Sequence, residues 1–316
     1  MDNHTIEILK EEFYSSKDAI LNLCLEALPA DIPDYVVDHV KRLFNYTVLG
    51  GKMLRGLLCY ITARALNPNS HKDTAIRASW AIELLQASFL VADDIMDNSI
   101  VRRGKPSWFT QTDKSSAYND AFLLSELAYN LVRNDSHLLL LLHSTSFKTV
   151  LGQNIDTLFK PRNPLLIQKY KTSFYTFNYS ICAGYMIATG HIDNSLEVLS
   201  ENLGYLFQIQ DDYFDIFPPH KWDKDSHDLF EGKFTWPLFA VWDELTPEAR
   251  QYIDDNLGTP GISYDVVRTY LTEADIKAKY ESTLDEYKHK ITYHQCDDHL
   301  HRVIEWLLSV LMTRQR

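Results

Sequence analysis

Asp93, Asp94 and Asp97 close an apolar run, Phe89, Leu90, Val91 and Ala92, within the stretch LLQASFLVADDIMDNSIVRRGKPSW at residues 84–108. Positions four apart share one face of a helix, so Asp93 and Asp97 project side by side and repel each other. Burying either carboxylate unpaired would cost far more than that repulsion. A cation must hold them. Arg102 and Arg103 follow in the chain and could serve, but hard divalent ions bound through oxygen suit a trio of carboxylates better. A lone DDxxD is most often a solvated patch at a helix end. The same grammar returns at 203–217, LGYLFQIQDDYFDIF, where Asp211, Asp212 and Asp215 again follow a largely apolar stretch. Two boxes of identical spacing, each on a buried-looking helix, are not surface decoration.

Groups that bind anions accompany the acids. Gly51-Lys52-Met53-Leu54-Arg55-Gly56 leads into an apolar segment at 57–66, and Lys52 and Arg55 stand at the start of that helix. Free amides and the helix dipole favour an anion there, so the two form a candidate phosphate clamp. By itself GGKxxRG is a weak motif. Gln153 and Asp156 share a face of the segment at 138–159. Lys171-Thr172 lies among Tyr170, Phe174, Tyr175, Phe177 and Tyr179, where a lysine either snorkels to water or aims its ammonium into a pocket. Lys224, Asp228 and Lys233 belong to the polar loop after the second box.

If the two boxes face each other across a helical bundle, they can hold magnesium, which takes carboxylates together with phosphate oxygens of a substrate. The substrate is then a diphosphate, cradled also by Arg102, Lys171, Lys224 and Lys233. The apolar, aromatic segments nearby suit a hydrocarbon at its other end. A cation-held diphosphate is a good leaving group, and an allylic carbon would be left as a carbocation that excluded water cannot trap. The Lys52–Arg55 clamp implies a second diphosphate, whose double bond attacks that cation.

The elements that must position these groups are helices. Apolar residues recur at helical spacing over 5–29, 36–49, 57–66, 75–92, 117–133, 138–159, 165–187, 195–217, 234–245, 263–271, 274–293 and 299–312, and no stretch alternates with period two. The expected fold is all-α, a bundle whose sites are built from facing helices. Apolar content of 45% is ample for a core, and no Pro/Gly/Ser-rich linker divides the 316 residues, so a single domain over 1–316 is expected. A net charge of -12 argues against a nucleic-acid surface. Cys24, Cys59, Cys182 and Cys296 are scattered without a CxxC pair, which fits a reduced, intracellular protein better than a disulfide scaffold. The N-terminus lacks signal-peptide order, and the longest purely apolar run, 138–142, is too short to span a bilayer. The expected location is cytoplasmic.

In fixed order over about residues 40–240, five elements together resemble the trans-isoprenyl diphosphate synthases, farnesyl diphosphate synthase type. They are the 51–56 run, Asp93-Asp94-x-x-Asp97 with Arg102-Arg103-Gly104, Gly152-Gln153-x-x-Asp156, Lys171-Thr172, and Phe207-Gln208-x-Gln210-Asp211-Asp212-x-x-Asp215. The resemblance implies an isoprenoid-synthase helical bundle with a central cavity, working as a homodimer with three magnesium ions. It further implies that Asp93, Asp97 and Asp211 ligate magnesium and, with Lys171, carry the catalysis, while Asp94, Asp212 and Asp215 support them. Lys52, Arg55, Gln86 and Arg103 match its isopentenyl diphosphate contacts. Arg102, Lys171, Thr172, Gln208, Lys224 and Lys233 match its contacts to the allylic diphosphate.

Departures from the family pattern keep other activities open. Where relatives write GKxGxDIxxxK, residues 223–233 read DKDSHDLFEGK, losing two glycines, and the C-terminal basic cluster is reduced to Arg314 and Arg316. Ser88 stands five residues before Asp93, where farnesyl-forming relatives carry an aromatic, although Phe89 is retained. A smaller residue deepens the hydrocarbon pocket. The leading expectation is a short-chain prenyltransferase making a C15 product. A terpene synthase acting on one prenyl diphosphate and a catalytically silent synthase subunit are the alternatives.

Overall fold

The computed structural model describes residues 3–219 and 227–313, helical apart from one two-stranded hairpin. They group into two compact units. One is drawn from Met1–Ser146, Tyr175–Leu196 and Asp297–Val303, the other from Phe147–Phe174, Glu197–Cys296 and Ile304–Arg316. A single domain is what the lack of a linker predicts; the unit boundaries after 146, 174, 196 and 303 fall inside helices and the one after 296 in a short loop, none of them in a Pro/Gly/Ser-rich stretch that composition could mark.

In the first unit the helix Lys72–Met96 is the axis. It packs against Leu54–Leu66, Lys114–Val132 and Tyr179–Thr189, and its buried positions run round most of its circumference. By composition it is long and apolar enough to cross a membrane, yet 67% of that window is buried inside the protein, so it is a core helix. Trp80 at its middle is fully buried and stacks on Phe13 at 5.1 Å and Phe44 at 5.9 Å between ring centroids. Aromatics of this size bury roughly 150–250 Å² each, which makes this trio a principal anchor of the unit. The indole N–H donates to Ser16 Oγ at 2.8 Å. Ser16 in turn donates to the carbonyl of Phe13 at 2.6 Å, and there the helix expected over 5–29 divides into Asn3–Ser15 and Lys17–Glu26.

The second unit contains Trp236–Val241, Pro247–Asn256, Tyr264–Glu273 and Ile276–Thr292. Tyr213 stacks almost flat on Tyr280, at 3.8 Å and 7°. Pro247–Asn256 is absent from the helices that periodicity marks. It is short and polar, and its start is set by Thr246, whose hydroxyl accepts the Ala249 N–H at 3.2 Å, with proline at the first helical position.

Among the described residues three stretches wind as π-helix: Phe44–Val48, Ile155–Phe159 and Gln168–Asn178. Such turns are rare and frequent at functional sites. The last one carries Lys171, Thr172, Tyr175 and Thr176. All four cysteines are free; burial pushes the Cys24 and Cys59 thiols up to about 12, which makes them inert.

Gly152 is where the π-helix approaches its neighbour. A Cβ there would stand 2.3 Å from the Lys171 amide nitrogen and 2.5 Å from the Tyr170 carbonyl carbon. Backbone cannot step aside as a side chain can, so Gly152→Ala is expected to destabilise the protein by about 1–3 kcal/mol. Urea denaturation checks this; an unshifted midpoint would show that the segment yields freely.

Candidate active site

The first acidic box lies at the C-terminal end of its helix. Lys72–Met96 stops with Asp97 as cap and Asn98 at a φ of 52°, while the Ser99 amide donates to the Asp94 carbonyl at 2.9 Å. This is a Schellman ending with asparagine in the left-handed position. The dipole there is negative, so three carboxylates are disfavoured by the helix as well as by one another.

The hairpin Val101–Arg102 and Lys105–Pro106 supplies a cation. Its central residues, Arg103 and Gly104, have φ of 55° and 70°, the positive pair that a tight two-residue hairpin requires. The reversal returns Arg102 to the box: Nε donates to Asp94 Oδ1 at 2.8 Å, and Nη2 lies 2.5 Å from Asp94 Oδ1 and 3.3 Å from Asp93 Oδ2. Burial raises the Asp94 carboxyl above its usual range, partly offset by Arg102. Asp93 and Asp97 are half-buried.

The Lys52–Arg55 clamp is built on Glu83, a carboxylate only 3% exposed inside the same long helix. Glu83 Oε1 accepts the Gly56 N–H at 2.7 Å. A Cβ at Gly56 would meet Glu83 Cγ at 2.9 Å and the Ser79 carbonyl at 2.7 Å, which is why glycine ends the motif. Burial raises the Glu83 carboxyl, against the Gly56 amide and the charges of Arg55 and Arg103. Arg55 also donates to Tyr175 Oη at 2.7 Å and Thr176 Oγ1 at 2.8 Å, with its guanidinium 4.1 Å from the Tyr175 ring centroid. Lys52 is exposed and Gln86 half-buried.

Below the box, Phe89 meets Tyr175 edge-on at 5.8 Å. Ser88 is buried, and its hydroxyl shares a hydrogen bond of 2.6 Å with Ser125 of the neighbouring helix. The small residue is thus met from across the helix seam by a second hydroxyl.

In the second unit, Lys171 Nζ donates to buried Asp156 at 2.5 Å, which gives the Gln153–Asp156 element a partner. Thr172 Oγ1 donates to Gln208 Oε1 at 2.8 Å, and Gln208 Nε2 to Asp212 Oδ1 at 2.7 Å. Asp212 Oδ2 accepts the Trp236 amide at 3.0 Å and Gln168 Nε2 at 3.4 Å. Burial pushes Asp212 up to about 6 despite these donors. Asp215 accepts the Tyr264 hydroxyl at 2.7 Å and the His227 amide at 3.2 Å. Lys233 pairs with Glu231, and with Asp228 at 3.8 Å. Burial alone would lower its ammonium, but Asp228, Asp156 and Glu231 outweigh that and raise it.

The six box acids therefore fall into two kinds. Asp94, Asp212 and Asp215 are buried with carboxylate oxygens committed to protein donors, while Asp93, Asp97 and Asp211 are only half-buried. Among the described residues no three His, Cys, Asp or Glu side chains form a ready-made metal cage. The donor set nonetheless fits a hard divalent ion, because Asp93 and Asp94 already hold a cation, the guanidinium of Arg102. Magnesium keeps water and substrate oxygens in its shell and needs few protein ligands. Lys224, Arg314 and Arg316 lie outside the described residues.

Glu83, Tyr175, Thr176 and Ser125 join the candidate site without having been singled out by motif. Two left a trace in the sequence: Glu83, a single acid inside the apolar run WAIELLQASFLV, and Tyr175, one of the aromatics around Lys171-Thr172.

Three comparisons bear on this site. The polyprenyl synthetase family model matches residues 37–274. The farnesyl pyrophosphate synthase of Gallus gallus is 36% identical over 251 residues, covering 70% of this chain and 68% of that one; the Saccharomyces cerevisiae enzyme of the same name is 32% identical over 284 residues, 80% of each. A solved structure of T. brucei farnesyl diphosphate synthase complexed with homorisedronate superposes with a TM-score of 0.86 at 27% identity, covering 96% of this chain and 99% of that chain.

Asp212 makes the site testable by pH. Its folded value of about 6 lies above the ordinary 3.8, so the folded state binds that proton more tightly than the unfolded chain does. Its contribution is most favourable below about pH 4 and is lost as pH rises through about 6, by roughly 2–3 kcal/mol. In metal-free protein, Asp212→Asn should therefore flatten the decline of the unfolding midpoint between pH 4 and 6.5; an identical slope in the variant would refute this.

Proposed function

The chain belongs to the polyprenyl synthetase family, and on that footing we propose that it is a prenyltransferase that joins isopentenyl diphosphate to dimethylallyl or geranyl diphosphate and makes farnesyl diphosphate. The carrying observation is that the chain has two separate cation sets suited to diphosphate oxygens. Arg55 and Arg103 gather by Glu83 in the first unit, with Lys52 three residues before Arg55; Lys171 and Lys233 belong to the second. An enzyme that ionises one prenyl diphosphate needs one such set, so two favour elongation over a terpene synthase. Retention of all six box acids and the names of the relatives weigh against a silent subunit.

Magnesium bound by Asp93, Asp97 and Asp211 would supply charge neutralisation of the allylic diphosphate, the substrate that must leave. Arg102, Lys171 and Lys233 bind and orient its oxygens, exchanging protein carboxylates for phosphate. The allylic C–O bond breaks with its electron pair going to the diphosphate. The Tyr175 and Phe89 rings exclude water and can face positive charge with their π-systems. Lys52, Arg55, Gln86 and Arg103 hold isopentenyl diphosphate, whose double bond supplies the electrons of the new carbon–carbon bond. A proton is then lost to the departed diphosphate, and no side chain is required as base.

A homodimer is part of this reading. Tyr118 and Phe122 are exposed on Lys114–Val132 and touch edge-on at 5.0 Å, and Leu140 is exposed on the following helix. A second copy would cover this apolar face. Phe122→Glu should shift the sedimentation coefficient toward monomer at micromolar concentration; a variant that sediments as the parent does would exclude that face.

The assay for function uses purified protein with Mg²⁺ and geranyl diphosphate, with and without isopentenyl diphosphate. Farnesyl diphosphate formed only when both are present is expected, and hydrocarbon from geranyl or farnesyl diphosphate alone would overturn the reading. Asp93→Ala and Asp211→Ala should each lower kcat by about 100- to 1,000-fold with unchanged circular dichroism.

A further inference from the structure

Asp215 is the third acid of the second box, yet it is 3% exposed and its oxygens accept from one side chain and one backbone amide of the protein itself. Oδ2 accepts the Tyr264 hydroxyl at 2.7 Å, and Oδ1 accepts the His227 N–H at 3.2 Å. The same Tyr264 oxygen accepts the Leu229 N–H at 3.1 Å. Leu229 is fully buried, and its carbonyl accepts the Gly258 N–H at 2.9 Å. Further along, the Lys233 N–H donates to the Asp228 carbonyl at 2.9 Å, and Lys160 Nζ to the Glu231 carbonyl at 2.7 Å. One carboxylate and one phenol thus hold the segment 227–233 at two consecutive odd positions. Hydrogen bonds to an ionised acceptor are about twice as strong as neutral ones, so an aspartate is a firmer post than an amide would be.

We infer that Asp215 is a positioning residue rather than a metal ligand: with Tyr264 it grips the backbone at His227 and Leu229 and thereby sets where Lys233 presents its ammonium to the allylic diphosphate. The identity of that ligand rests on the prenyltransferase reading; the grip itself does not. Box spacing alone makes the third aspartate equivalent to Asp97, four residues after the first acid. Asp97 is a half-buried helix cap, whereas Asp215 lies one residue before the last of Leu196–Ile216 and is closed over by Tyr264.

Two variants separate the roles. Tyr264→Phe deletes the hydroxyl and leaves the carboxylate available to any metal; Asp215→Asn keeps an acceptor for His227 and removes the charge. The first readout needs neither metal nor substrate: amide hydrogen exchange at 227–229 in metal-free protein should quicken about tenfold in both variants. The second is kinetic. The KM for geranyl diphosphate should rise about five- to tenfold in both, while the KM for isopentenyl diphosphate and the Mg²⁺ concentration for half-maximal rate stay at parental values. Tyr264→Phe should add nothing in a Lys233→Gln background, as a shared pathway demands. Unchanged exchange would disprove the grip. Faster exchange with an unmoved geranyl diphosphate KM, or a Mg²⁺ requirement raised in Asp215→Asn alone, would overturn the positioning role. Should the parent protein elongate nothing, the functional reading fails, and the exchange data still decide whether the grip exists.

Discussion

Carboxylates at the wrong end of a helix are the constraint from which the site's construction follows. The dipole at a helix C-terminus disfavours each anion by about 0.3–1 kcal/mol at exposed positions, and more where burial strengthens the field. This chain sets Asp93, Asp94 and Asp97 at the end of Lys72–Met96 and Asp211, Asp212 and Asp215 in the last turns of Leu196–Ile216. Neighbouring acids repel each other as well. Each end needs cations or hydrogen-bond donors beside it, and a diphosphate accompanied by divalent ions brings further cations with it.

In the resting protein Arg102 meets that need at the first box, and neutral donors meet it at Asp212 and Asp215 of the second. Arg102 sits on Asp93 and Asp94, Lys171 on Asp156, and Lys233 between Asp228 and Glu231. Arg55 and Arg103 lie in the field of Glu83. Arg55, Arg102, Lys171 and Lys233 are thus already oriented by a carboxylate or hydroxyl before any ligand arrives. Preorganised donors need little rearrangement when charge develops, which is where most electrostatic catalysis originates. The buried acids do not have to touch substrate to matter, since they hold the groups that do.

Much of this was legible in the residues. The two boxes, the basic loops and the helical periodicity are local patterns of type and spacing, and they led to the fold and to the acids. What stayed hidden depends on contacts between distant positions. Nothing near Arg55 announces that Tyr175 and Thr176 will receive it, 120 and 121 residues later. Ser125 becomes relevant only because its helix packs on the one carrying Ser88. The π-helix Gln168–Asn178 has no sequence periodicity distinct enough from α to read, and Ser16 splits its helix through a hydroxyl bond that tertiary packing stabilises. Spacing alone does not tell the two arginines after the first box apart; only the family resemblance gives them different substrates. Arg102 ends the first strand and Arg103 opens the two-residue turn, which sends Arg102 to the acids and Arg103 to the neighbourhood of Glu83 and Arg55.

Met53 and Arg103 share a backbone oddity, with φ of 47° and 55°. A left-handed conformation costs a residue with a Cβ roughly 1–2 kcal/mol, and glycine or asparagine adopts it with far less strain. Anyone thermostabilising this protein by matching residues to backbone preference would rewrite these two sites early. At position 103 the swap would relieve the turn and delete a guanidinium in the same stroke; at 53 it would remove a buried side chain beside Lys52 and Arg55. The least comfortable side chains of the first unit are therefore ones an engineer should leave alone.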